Sequence, residues 1–464
     1  MPHARADAAT EPRTNIILIL ADDLGYGDVG FQGSKQIPTP NLDRLAASGV
    51  VCAQGYVSAP VCSPSRAGLL TGRNQVEFGY DNNLSNTQPG FDPDYNGLPV
   101  TERTMADRLH TAGYVTGLIG KWHLGDRPQF HPLRRGFDEF WGFLGGGHRY
   151  FPAVPGRPEP DIECNFGPVG AITYLTDNIT DQSIAFIQRH RAHPFFLYVA
   201  YNAPHAPMNA REEDLGRFAF IPDKNRRTYC AMVARLDDQI GRLLDAVQAA
   251  GLAEKTLLVF LSDNGGPVDQ NASLNAPLNG QKGMLLEGGM RVPFVFSWPG
   301  RLPAGKIYDQ VISSLDLTPT FLRLAGAAEP QFAGLAGTDL MAHLTGRDNS
   351  APHHELKWRF TVSAAIRDGD WKLVRLPDRL PLLFNLRSDI SEQHDVALQN
   401  LERTKTLLAR LGDWDVRLPH PVTLEGAEWK RRQLNLYDAQ FPLVQPVGSE
   451  VPRMVSTKET TSPH

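Results

Sequence analysis

The sequence predicts an α/β protein: a large, mostly parallel or mixed sheet sandwiched by helices, followed by a small C-terminal α+β domain with an antiparallel sheet. Three observations carry this. Short β-rich apolar runs alternate with stretches of helical periodicity, the pattern of strands joined by crossover helices. Beyond about residue 345 the texture changes to alternating runs around a turn. At 464 residues the chain can bury one large core and a smaller one.

Residues 1–13 are small and polar with no apolar h-region, so they read as an N-terminal arm rather than a secretory signal. The compartment stays undecided: cytoplasmic from the chain as given, periplasmic or secreted where a signal peptide has been removed. Residues 14–346 form the expected large α/β domain. Four apolar runs in it, 16–20, 114–119, 195–199 and 257–261, end at Asp22-Asp23, Lys121-Trp122-His123, Asn202 with His205, and Asp263-Asn264. Open α/β sheets bind ligands beyond the carboxyl ends of their strands, so four separate segments point to one place. Residues 41–48, 104–112 and 226–250 read as helices, each stopped by a following glycine. Residues 291–297 read as a strand, with Pro293 arguing against a central position, and 316–325 as a helix with Pro319 in its first turn. Residues 347–362 read as a linker. The small domain is expected over 363–446, with a hairpin at Asp368-Gly369 and a helix near 401–411. Residues 447–464, rich in Ser, Thr, Pro and charge, read as an arm or a disordered tail.

Composition excludes several classes. No apolar run approaches the roughly 20 residues that cross a bilayer. A net charge of −5 argues against a nucleic-acid partner, so an anionic substrate needs a few local cations. The four cysteines lack a C-x-x-C pair, which indicates neither a disulfide scaffold nor a zinc site.

Asp22, Asp23, Asp263 and Asn264 are hard oxygen donors from two distant strand ends, a set that suits Ca²⁺, or less well Mg²⁺. Either pair alone is better read as turn chemistry, and their combination favours a metal. Lys121 and His123 are suited to clamp an anionic group and carry a proton. His205 sits in a proline-flanked loop and Lys282 in a glycine-rich one. Singly, a solvated lysine or a satisfied structural histidine is the better reading, and their common address gives them weight. Cys62 precedes a helix start in Val61-Cys62-Ser63-Pro64-Ser65-Arg66. It is open as a nucleophile, a metal ligand, a disulfide half or an inert buried thiol.

The motif Cys62-Ser-Pro-Ser-Arg66 with Leu70-Thr-Gly-Arg73 resembles the signature of the formylglycine-dependent type I sulfatases, arylsulfatase-like members of the alkaline phosphatase superfamily. Gly113 to Gly125 resembles the second signature. The likeness extends through Ala21 to Gly27, Ala203 to Pro207, Ser262 to Gly266, Glu287 to Pro293, Arg367 to Leu373 and Leu383 to Leu386. The resemblance implies an alkaline phosphatase-like fold and a sulfuric ester hydrolase. Cys62 would be oxidised by a maturation enzyme to Cα-formylglycine, whose hydrate attacks sulfur and later releases sulfate by re-forming the aldehyde. Asp22, Asp23, Asp263 and Asn264 would bind Ca²⁺ with the modified Cys62. Arg66 and His123 would position the diol, and Lys121, His205 and Lys282 would grip the sulfate. His148 and Arg149, following a stretch that resembles carbohydrate-acting members, are candidates for contacting a sugar. The expected substrate is a sulfated saccharide or another small sulfate ester. The rivals are a phosphonate or phosphodiester hydrolase of the same superfamily and a catalytically silent binding protein. Substrate identity and oligomeric state are not legible.

Overall fold

The computed structural model describes residues 13–84, 88, 90–152, 162–170, 172–424 and 426–442. The expected tail, and the N-terminal arm apart from Arg13, lie outside the described residues. The main sheet holds ten strands: β1 (Asn15–Ala21), β2 (Gly49–Tyr56), β3 (Val115–Lys121), β4 (Glu139–Phe143), β5 (Glu163–Cys164), β6 (Gly167–Pro168), β7 (Phe195–Ala200), β8 (Thr256–Ser262), β9 (Phe294–Ser297) and β10 (Lys306–Ser313). Their spatial order is β10-β2-β9-β8-β1-β7-β3-β4-β5-β6.

All seven residues of β1 are buried: Ile16, Leu18 and Leu20 enter one apolar layer, Ile17, Ile19 and Ala21 the other. Burial on both faces is the condition of a strand inside a parallel sheet. β1 lies parallel to β7 and β8, and β3 parallel to β7. Ala21 aligns with Ser262, Leu20 with Ala200 and Ala200 with Gly120, so the carboxyl ends of β8, β1, β7 and β3 stand side by side. The sheet is mixed because β9 runs antiparallel to β2 and β8. The Pro293 expectation is corrected here: β9 is internal, and the proline sits just before its first residue, where no ladder bond is lost.

The helices α1 (Pro40–Ala47), α2 (Cys62–Thr71), α3 (Met105–Thr111), α4 (Leu175–His190), α5 (Glu212–Arg217) and α6 (Lys224–Ala249) flank the sheet. α1, α4 and α6 bury apolar residues in one layer, α2 and α3 in the other. Thr104 closes a reciprocal capping box with Asp107 at the start of α3, as its place before the apolar run suggests.

The small sheet is antiparallel, in the order β11 (Glu355–Phe360), β12 (Ser363–Asp368), β13 (Trp371–Arg375) and β14 (Leu382–Asn385). Its edge strand β11 lies in the stretch expected as a linker. Leu356, Trp358 and Phe360 alternate there with Glu355, Lys357 and Arg359, and Phe360 pairs with Ser363 across a two-residue turn. The hairpin between β12 and β13 turns at Gly369, with φ +58°. Pleating divides the sheet's side chains: Ala364, Ile366, Leu373 and Leu383 pack on the helix Leu401–Asp415, while Ala365, Val374, Leu382 and Phe384 join the main core. The last described helix, Ala427–Gln440, lies in a stretch for which sequence reasoning named no element, and Tyr437 on it enters the main core, its hydroxyl accepting the Leu285 N–H at 2.6 Å. No described helix is long and apolar enough to cross a membrane.

Candidate active site

Successive residues of a strand point to opposite faces, so Asp22 and Asp23 would part company if β1 continued. Asp23 instead adopts φ +65°, a left-handed conformation that aspartate tolerates better than most residues, and both carboxylates converge. The Asp23 N–H donates to Asp263 Oδ1 at 3.2 Å, joining the β1 and β8 tips directly. Asn264 donates its side-chain amide to Asp23 Oδ1 at 2.7 Å. Gly265 has no room for a side chain: a Cβ there would lie 1.7 Å from the Gly288 carbonyl.

Cys62 opens α2, all ten residues of which are buried. Its Sγ lies 3.5 Å from Asp22 Oδ1 and 4.0 Å from Asp23 Oδ1. The helix start is capped from outside, by Asn83 Oδ1 accepting the Ser63 N–H at 2.8 Å, while Ser63 Oγ donates to the His123 carbonyl at 2.6 Å. One turn on, the buried Arg66 donates through Nε to Asp263 Oδ2 at 2.9 Å and stands 3.7 Å from Asp22. Lys121, at the β3 tip, reaches Asp22 Oδ2 at 2.6 Å, and Lys282 reaches Asp23 at 2.8 Å. His205 Nε2 lies 3.5 Å from Asp23 Oδ2. His123 takes φ +61°, and its buried Nδ1 has no hydrogen-bond partner among the described residues.

The four cysteines are free, so the disulfide reading of Cys62 falls. The loop bearing Lys282 is tied to the small domain through Glu287, whose carboxylate meets Lys372 at 2.8 Å and the Tyr56 hydroxyl at 2.5 Å. Lys372 also meets Glu392 at 3.0 Å, and Glu392 accepts the Glu287 N–H at 2.6 Å. All three charged groups are fully buried.

Charge crowding sets the proton affinities. Burial works against the Cys62 thiolate, but Lys121 and Lys282 outweigh it and bring the thiol down to about 7. Burial raises Asp22 and takes Asp263 up to about 6, despite Arg66 and Lys121. Asp23, although buried, is held down to about 2 by Lys282 and His205. Burial and the surrounding cations push His123 well below the usual imidazole range. For His205 burial also lowers proton affinity, but the attraction of Asp22 and Asp23 prevails and raises it.

The donors fit a hard divalent cation. The Asp22 and Asp23 carboxylates and the buried Asn264 Oδ1, which has no partner among the described residues, are hard oxygen donors, and Asp22, Asp23, Cys62 and His205 bring one ligand atom each within 4.8 Å of one another. Asp263 belongs to the same cluster through Asp23 and Arg66.

The Sulfatase family model matches residues 14–327, and a model of the N-sulphoglucosamine sulphohydrolase C-terminal region matches 280–413. The chain belongs to the sulfatase family. As a sulfuric ester hydrolase it has close counterparts. N-acetylgalactosamine-6-sulfatase of Canis lupus familiaris is 38% identical over 362 residues, spanning 74% of this chain and 67% of that protein. Arylsulfatase G of Rattus norvegicus is 32% identical over 450 residues, 82% of each chain. The crystal structure of Ps i-CgsB in complex with k-i-k-neocarrahexaose superposes with a TM-score of 0.82 at 38% identity, covering 93% of this sulfatase and 98% of that chain.

Every residue expected at the metal and sulfate positions lies in this cluster or borders it. His148 and Arg149 follow two glycines that lie against His123 and His205. The His148 ring is tilted against Phe143 with centroids 5.4 Å apart, and Nδ1 lies 2.6 Å from the Arg149 carbonyl, so the imidazole is 6% exposed. Arg149 is half-buried. The glycines before them have a purpose composition did not reveal: a Cβ on Gly146 would lie 2.6 Å from His123 Nε2, and one on Gly147 3.2 Å from the His205 ring. Asn83, Lys372 and Glu392 also escaped sequence reasoning, since nothing local marks a long-range cap or a buried ion triad.

Proposed function

We propose that this sulfatase hydrolyses the sulfate ester of a sulfated saccharide, with a Cα-formylglycine derived from Cys62 as nucleophile and Ca²⁺ as the bound cation. The placement of Cys62 Sγ within 4.0 Å of both Asp22 and Asp23, at a helix start flanked by Lys121 and Lys282, supports this reading most directly. The names of its relatives and the saccharide held by its structural counterpart support the substrate class.

Asp22, Asp23, Asp263 and Asn264 would hold the cation beside position 62. When bound, Ca²⁺ offsets negative charge on the nucleophile and the transferred group. The chain's own residues supply the rest. Lys121 and Lys282 present ammonium groups for the sulfate oxygens where little water competes. Arg66, fixed by Asp263, keeps a cation facing the start of α2. His123 is kept neutral with one ring nitrogen unengaged, the state in which an imidazole accepts a proton. His205 and Lys282, which stand 3.5 and 2.8 Å from Asp23, would protonate a departing alcohol. Arg149 is kept as a candidate contact to the sugar, and His148, which faces Phe143, as a support for that loop.

Peptide mass spectrometry tests the nucleophile. Conversion of Cys62 removes one sulfur and two hydrogens and adds one oxygen, and turnover of an aryl sulfate should rise in proportion to the converted fraction. Full activity from a wholly unconverted sample would refute the assignment. Matched aryl sulfate and aryl phosphonate substrates separate the sulfatase reading from the phosphonate one.

A further inference from the structure

A cavity of about 230 Å³ opens at the seam between the catalytic domain and the small sheet. At roughly 30 Å³ per liquid water it holds about eight waters, space that a single sugar ring with its hydroxyls would fill. It does not border the catalytic cluster. Asn74 and Glu77 form one wall and follow the carboxyl end of α2, whereas Cys62 stands at the other end, about 15 Å away at 1.5 Å per residue.

The walls define what fits. Trp414, half-buried at the end of the helix Leu401–Asp415, supplies an indole, and Trp358 supplies a second, pinned by its Nε1–H donating to the Val57 carbonyl at 3.0 Å. The charges lining the cavity are answered within the protein. Glu77 faces Arg73 at 3.4 Å, Lys357 pairs with Glu355, and His353 meets Asp316 at 2.8 Å. Arg73 also donates to Glu102 at 2.8 and 2.9 Å, so among the described residues the lining holds no spare cation to recruit an anion. One neutral polar group remains: Asn74 spends its amide oxygen on the Val76 N–H, which leaves its NH₂ without a partner among the described residues, whereas the Ser58 hydroxyl oxygen, though also unpartnered there, is buried. Aromatic surface beside an uncharged hydrogen-bonding group suits a ligand with an apolar C–H face and a rim of hydroxyls.

We propose that this cavity is a non-catalytic saccharide subsite that takes a neutral sugar ring against Trp414. The site is separate from the reacting centre, so the inference stands whether or not the nucleophile and metal assignments above survive. The full-length protein is titrated with galactose, N-acetylgalactosamine, glucose and N-acetylglucosamine up to tens of millimolar, followed by saturation-transfer NMR. At least one sugar should bind saturably. Trp414→Ala should weaken that binding about tenfold, the loss expected for one aromatic anchor. Ala336→Phe, which fills the cavity from its rim without removing any packing, should abolish it. Both variants should keep aryl sulfate turnover within about twofold, since neither residue borders the reacting centre. Saturable binding by none of the four sugars, or undiminished binding in Ala336→Phe, would overturn the proposal. A loss of aryl sulfate turnover that matches the loss of sugar binding in both variants would also overturn it, by locating the sugar at the catalytic centre.

Discussion

Neutralising one member of a buried ion triad should make this protein more stable at alkaline pH. Glu392 shares Lys372 with Glu287, and the three groups are fully buried. Burial is the main reason the Glu392 carboxyl rises from 4.5 to about 7. The neighbouring Glu287 carboxylate adds to the rise, and Lys372 offsets only part of it. The folded protein therefore holds a proton on Glu392 that the unfolded chain releases near 4.5. Stability from this source is complete below 4.5 and disappears as pH rises through about 7. The difference amounts to about 3 kcal/mol at 1.36 kcal/mol per pH unit of displacement. Glu287 acts in another window: it is held down to about 2, so its contribution is lost only as pH falls from 4.5 toward 2. Glu392→Gln keeps an oxygen for the Glu287 N–H and never ionises. Urea unfolding at pH 5, 6, 7 and 8 should show the variant within about 1 kcal/mol of wild type at pH 5 and ahead by as much as about 3 kcal/mol at pH 8. Parallel stability curves would refute the reasoning. Lys372→Met should lose about 3–5 kcal/mol at neutral pH, because it strands two carboxylates in the core.

Three further outcomes follow from the active-site geometry. Gly146→Ala places a methyl 2.6 Å from His123 Nε2, so kcat on an aryl sulfate should fall on the order of 10²-fold with an unchanged urea midpoint; wild-type turnover would show that the loop yields freely. Added Ca²⁺ should raise the thermal midpoint with the logarithm of its concentration, worth about 2.7 kcal/mol at 100 times Kd, and Asp263→Asn should blunt the response; a midpoint indifferent to Ca²⁺ counts against the cation assignment. Arg149→Ala should cost far more turnover on a polyanionic saccharide than on a small aryl sulfate, and equal losses would remove Arg149 from the sugar contact.

Sequence reasoning reached the site through strand ends. β1, β3, β7 and β8 are apolar enough to declare themselves as buried parallel strands, and the placement of ligands beyond strand carboxyl ends then brings Asp22, Lys121, His205 and Asp263 together without coordinates. What it missed depends on conformation or distance. The left-handed turns at Asp23 and His123 aim two functional side chains, yet neither residue type announces a positive φ. The cap on α2 comes from Asn83, twenty residues on, and the glycines at 146 and 147 matter only because two histidines lie against them. β11 was legible in the alternation of Leu356, Trp358 and Phe360, but its intervening charges and the turn at Thr361 disguised it as a connector.

The way the small sheet is packed constrains any attempt to engineer this protein by parts. One of its faces is a wall of the larger core, through Trp358, Phe360, Ala365 and Phe384, so cutting the chain near residue 345 would open a greasy wound in the remaining fragment. Exchanging C-terminal halves between relatives would fail for the same reason unless the buried side chains on both sides of the seam travelled together.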